Sequence, residues 1–138
     1  MGRRASAPEC EDQAIGAVVT DSTFAEIYPV IAREWPTASG LPTLFLTPTR
    51  LMTRLMHGYD IAASRPVEEI GDISPRPILI IHCATDQTVP LEHAERLHAA
   101  SSSSELWVLE QCDHAEAYNA EQDQYENRVV GFFLANLK

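Results

Sequence analysis

The run Ile78-Leu79-Ile80-Ile81 limits this chain to a few ways of folding. It is apolar throughout, β-branched at three of its four positions, preceded by Pro75 and Pro77 and followed by a polar turn. A half-exposed strand would alternate apolar and polar residues. An unbroken run marks a strand covered on both faces, as in a parallel sheet with helices on either side. In open α/β sheets, chemistry gathers beyond the carboxyl ends of the strands. Asp86 stands just past that end, in the turn that follows His82 and Cys83. A second run, Glu105 to Leu109, leads into Cys112-Asp113-His114, which gives His114 the equivalent place on a neighbouring strand. A carboxylate and an imidazole so placed are two of the three groups of a Ser-His-Asp triad.

The rest of the pattern supplies the layers. Residues 1–13 are polar, contain Pro8 and five charged residues, and read as a loose N-terminal arm. Ala14 to Thr20 reads as a first buried strand ending at Asp21-Ser22, and Thr23 to Trp35 as a helix interrupted near Pro29. Pro36 to Gly40 is a connector. Leu44, Leu51, Leu55 and Met56 fit a helix within 42–58, broken near Pro48. Residues 61–70 form a loop and one helical turn. The central strand covers 77–82, and Pro90 opens a helix, a position where its missing N–H goes unused. Leu91, Ala94, Leu97 and His98 give that helix its inward stripe. A third strand at 105–110 precedes a last helix at 121–137, with Tyr125, Val129, Phe132, Phe133 and Leu137 on its buried side. Strands alternating with helices make the fold class α/β with a parallel sheet.

Composition removes several function classes. At 138 residues, 45% hydrophobic and 22% charged, the chain is one ordinary globular domain with a real core. Its net charge of −10 argues against nucleic acid, whose phosphates demand a basic face, and against an anionic membrane surface. No apolar run approaches the roughly 18 residues of a membrane span. Met1 to Ser6 fits a myristoylation pattern by chance, and no apolar segment follows its paired arginines, so no secretory signal is read there. Cysteines at 10, 83 and 112 are odd in number and scattered, which fits free thiols in a reducing cytoplasm.

From about Ala14 onward the chain resembles the C-terminal half of an α/β-hydrolase. The series Ile80-Ile81-His82, Asp86, Val89-Pro90 and Ala94 is similar to that family's loop carrying the triad acid, and His114 matches its triad histidine. The resemblance implies a three-layer, partial α/β-hydrolase fold: a short parallel sheet of about three strands flanked by helices. The region between the first two strands would contribute to a cap. By the same resemblance Asp86 orients His114, and His114 acts as general base on a small ester or amide substrate, with no cofactor and no metal. Two departures stand out. Cys83 replaces a glycine that commonly follows the first histidine, and the nucleophile elbow G-x-S-x-G occurs nowhere in the 138 residues. The expectation is a truncated hydrolase-like unit, residues 14–138, holding acid and base without a nucleophile and with weak or no activity alone.

Each candidate has a plainer reading. Cys112 and Ser22 are weak surrogate nucleophiles, but a buried inert cysteine and a helix N-cap explain them as well. Asp21 is a reserve acid. His82 reads as a buried structural histidine whose ring nitrogen finds a partner. His82, Cys83, Asp86, Cys112 and His114 offer zinc-type donors, yet their spacing matches no finger pattern, so no metal site is assigned. Tyr28, Trp35 and Met56 either line a pocket or pack. A free edge on strand 14–20 invites association, closed most simply as a homodimer. The competing readings are therefore a binding or assembly module that uses the open edge, and a hydrolase completed by another chain.

Overall fold

Residues 14–137 are described by the computed structural model, and the expected arm at 1–13 lies outside the described residues. Among the described residues three parallel strands lie in the order β1 (Val18–Asp21), β2 (Ile78–Cys83), β3 (Ser104–Leu109). The register pairs Val18 with Ile78 on one side of β2, and Ile78 with Ser104 on the other. All six residues of β2 are buried, as an unbroken apolar run requires. Strand alternation then sorts the core into two layers. Leu79, Ile81 and Cys83 face a cluster with Trp107, Leu109, Ala117 and Phe132. Ile78 and Ile80 face the opposite cluster with Ala25, Ile70, Ala94 and Leu97.

The helices are α1 (Ile27–Ser39), α2 (Leu46–His57), α3 (Pro66–Glu69), α4 (Glu92–Ala100), α5 (Ala117–Ala120) and α6 (Gln122–Asn136). Single 3₁₀ turns occur at Thr43–Phe45, Ile61–Ala63 and Ile70–Ile73. Neither expected proline break occurs. Pro29 and Pro48 are each the third residue of their helix, where backbone N–H groups have no intrahelical partner to lose. The expected connector at 36–40 is helical to Ser39 and ends on Gly40 at φ 70°, a left-handed cap that suits glycine. The first strand is shorter than expected and begins at Val18. Gly16 lies just before it, and a Cβ there would come within 2.8 Å of the Leu137 side chain. On α4 the buried histidine is His93, and His98 is exposed.

Helix α2 has its amphipathic faces reversed. Leu46 is buried and Arg50 and Thr53 half-buried, one helical stripe at i, i+4 and i+7 that faces the body of the protein. Arg50 there reaches Asp60 through two hydrogen bonds of 2.7 and 2.6 Å and lies over the Tyr28 ring. The other stripe, with Leu51, Met52, Leu55 at 73% exposure and Met56 at 69%, faces solvent. No helix among the described residues is long and apolar enough to cross a membrane.

Candidate active site

The parallel register brings three strand ends to one edge of the sheet. Beyond β1, the Ser22 amide donates to the Ile81 carbonyl at 3.0 Å, and beyond β2 the Ala84 amide donates to the Leu109 carbonyl at 2.7 Å. The loop after β2 then turns on Asp86, which is 5% exposed. Its Oδ1 accepts the amides of Thr88 at 2.9 Å and Val89 at 2.7 Å, the self-capping turn that aspartate favours. Those bonds orient the carboxylate and leave Oδ2 free to face the next loop.

There Oδ2 meets His114 Nδ1 at 2.9 Å. A carboxylate oxygen only accepts, so Nδ1 carries the proton and Nε2 of a neutral His114 is left as the basic nitrogen. The carboxylate side chain is fully buried and the imidazole is 39% exposed, so the pair has a closed end and an open one. His82 stands on the other side of the acid. Its Nε2 donates to the Val89 carbonyl at 2.8 Å and lies 3.6 Å from Asp86 Oδ2, which supports the turn from beneath. Among the described residues its Nδ1 has no hydrogen-bond partner.

Asp86 and His114 are thus brought together, and the two surrogate nucleophiles, Cys112 and Ser22, are each engaged with other partners. Cys112 is bonded to Cys83 in a disulfide with a Cα–Cα distance of 5.2 Å. This corrects the expectation of free thiols and removes the thiol argument for a cytoplasmic chain, since disulfides persist in oxidising surroundings. It also removes both cysteines as metal donors, and no cluster of three metal-type ligands occurs among the described residues. Ser22 is 5% exposed at φ 53°, a strained backbone that the sequence does not disclose. Its hydroxyl donates to Asp21 Oδ1 at 3.1 Å and accepts the Ala115 amide at 3.0 Å, so it serves as a structural tie. Asp21 stays at the end of β1, engaged with Ser22. Trp35 Nε1 donates to the Pro42 carbonyl at 3.3 Å, and Met56 lines an open groove on α2 with Phe45, Pro48 and Met52.

Two contributors were missed from sequence. Asp113 Oδ1 accepts the amides of Gln87 at 2.9 Å and His114 at 2.8 Å, and these bonds, the Gln87 amide foremost, hold its carboxyl below the usual range. Thr85 Oγ1 donates to the Cys112 carbonyl at 2.7 Å. The available signal was adjacency alone: each residue directly precedes a site residue in sequence.

No family model matches the chain. It is similar to proteins described as uncharacterized protein YfhR. Identity is 30% over 127 residues to the Escherichia coli K12 protein, covering 91% of this chain and 38% of that one. The Salmonella typhi protein is 30% identical over 129 residues at the same coverage. The chain therefore spans about two fifths of the length of the curated relatives it matches. Among solved structures it is similar to the Pyrococcus furiosus esterase Pf2001. The TM-score is 0.65 and identity 20%, over 94% of this chain and 48% of that one. It also resembles the Pyrococcus horikoshii acylaminoacyl peptidase, with TM-score 0.64 and 11% identity, over 94% of this chain and 21% of that one. A third match is MGS-MChE2, an α/β-hydrolase from the metagenome of lagoon sediments at Mar Chica, Morocco. There the TM-score is 0.53 and identity 17%, over 87% of this chain and 50% of that one. The chain has part of the α/β-hydrolase fold, with a three-stranded parallel sheet between helical layers.

Proposed function

We propose that this chain carries the acid and base of a Ser-His-Asp hydrolase triad, with Asp86 as the acid and His114 as the base. The single observation behind this reading is the 2.9 Å contact between Asp86 Oδ2 and His114 Nδ1 beyond the carboxyl ends of two parallel strands. In the resulting chemistry Asp86 holds the tautomer and the ring direction of His114. Nε2 takes a proton from a nucleophile attacking a small ester or amide, then returns it to the leaving group. The nucleophile is the missing part. With no G-x-S-x-G in the 138 residues and both surrogates engaged elsewhere, the chain alone is a weak hydrolase or none.

The activity then belongs to an assembly in which another segment or chain supplies the nucleophile and the oxyanion donors. The test starts from the gene. We expect a G-x-S-x-G segment encoded beside this one, whose co-expression yields hydrolysis of short p-nitrophenyl esters that is lost in His114→Ala and Asp86→Asn. Hydrolysis indifferent to both substitutions contradicts the assignment.

A second reading, a binding or assembly module, is favoured by the sheet itself. Among the described residues no strand pairs with the outer edge of β1, and exposed backbone groups of that kind recruit partners. We propose that this edge forms a homodimer when no completing segment is bound.

A further inference from the structure

His114 is held in place through its two sequence neighbours, and each of them is tied to a different strand end. On one side, a single oxygen of Asp113 accepts the amide of Gln87, the residue after Asp86, at 2.9 Å and the amide of His114 itself at 2.8 Å. On the other side, the Ala115 amide donates to the Ser22 hydroxyl at 3.0 Å, with Ala115 at φ 56°, a left-handed conformation rare for alanine. A backbone in that region persists only where its surroundings over-determine it. The roots of the two loops are joined by the Cys83–Cys112 disulfide and by the Thr85 hydroxyl on the Cys112 carbonyl. These root contacts hold the loops together without touching His114. Asp113 is the group that binds both the histidine's backbone and the amide beside the acid.

We propose that Asp113 is a positioning residue that sets the Asp86–His114 hydrogen bond by pinning both loops on one carboxylate oxygen. This rests on the reading of Asp86 and His114 as a working pair, and it adds a residue to that pair. The geometry explains why an exposed aspartate has its carboxyl held low: its partners are two amide protons, which stabilise the charged form. What the device needs is an acceptor at Oδ1, and asparagine keeps an oxygen there. The negative charge is dispensable, and the acceptor is not.

The test is proton NMR of the whole chain with uniform nitrogen labelling, following the His114 Nδ1–H resonance in the wild type, Asp113→Asn and Asp113→Ala. The wild type and Asp113→Asn should show that proton at low field, protected from exchange. Asp113→Ala should lose it to exchange broadening, while the Thr88 and Val89 amides bound to Asp86 keep their shifts and report an intact acid loop. Should Asp113→Ala fail to fold, exchange of the Gln87 amide in the wild type and Asp113→Asn decides instead. Protection in both supports the proposal, and protection lost in Asp113→Asn overturns it. A low-field proton unchanged in Asp113→Ala overturns it, as does its loss in Asp113→Asn or its absence from the wild type. An assembly with no hydrolytic activity at all would refute the triad reading and leave this spectroscopic result standing.

Discussion

Cys83 and Cys112 join the last residue of β2 to the loop that carries His114, three residues before Asp86 and two before His114. The bond lies on the α6 side of the sheet, in the cluster with Leu79, Ile81 and Trp107. It closes 29 residues of sequence, which by loop-closure entropy stabilises the fold by roughly 3.5 kcal/mol. Guanidinium unfolding with and without dithiothreitol should show a loss of that order. A midpoint unchanged by reduction would mean that packing alone holds the two loop roots.

His93 titrates against the fold. It is 8% exposed, and its Nδ1 accepts the Ala25 amide at 3.1 Å, so the neutral ring is the bound form. Burial first, then the Arg96 charge, pushes its pKa below 6.5. The unfolded chain therefore binds the proton more readily. The contribution is complete above pH 6.5 and is lost as the pH falls through the depressed folded value. Denaturation midpoints of wild type and His93→Gln across pH 7 to 5 should converge on acidification. Parallel curves would show that His93 is protonated equally in both states.

Asp60 behaves in the same sense at lower pH. The Arg50 guanidinium, by hydrogen bonding first, lowers its pKa from 3.8 to about 2, and the Ala62 amide adds to the effect. Its contribution is present above 3.8 and is lost as the pH falls through about 2. Asp60→Asn should destabilise at neutral pH and flatten the acid limb of the stability curve. An unchanged acid limb would assign the α2 anchor to the packing of Leu46 and of Tyr28 beneath Arg50.

The proposed homodimer has two candidate surfaces: the outer edge of β1 and the solvent-facing apolar stripe of α2. The β1 edge carries Val18 and no lysine or proline to blunt it. We expect sedimentation to show a homodimer that Val18→Lys dissociates and that Leu51→Glu with Leu55→Glu leaves intact. The reverse pattern would move the interface to α2, and a monomeric wild type would remove it.

The parts of the fold readable in the sequence were those governed by short-range rules. The run Ile78 to Ile81 gave a doubly covered strand, and the spacing of strands and helices gave the parallel order. Asp86 and His114 follow from strand ends, because parallel register places successive ends at one edge. Pro29 and Pro48 misled because first-turn prolines and helix-breaking prolines look alike without the helix start. The disulfide escaped because an odd cysteine count argues against pairing, whereas the β2–β3 register, with Cys83 opposite Leu109, brings positions 83 and 112 together. Asp113 itself, and the tie that Ser22 makes to Ala115, escaped for a different reason. Their bonds span 26 and 93 residues of sequence and depend on loop conformations that no local pattern encodes.

We propose an acid and a base, Asp86 and His114, within 138 residues that hold no working nucleophile. Labelling the purified chain with a fluorophosphonate, followed by intact-mass and peptide mass spectrometry, looks for that nucleophile. We expect no phosphonyl adduct across about pH 6 to 9, and identical spectra for wild type and His114→Ala. A stoichiometric adduct on Ser22 or another mapped residue, lost in His114→Ala, would show that the chain carries a complete catalytic apparatus.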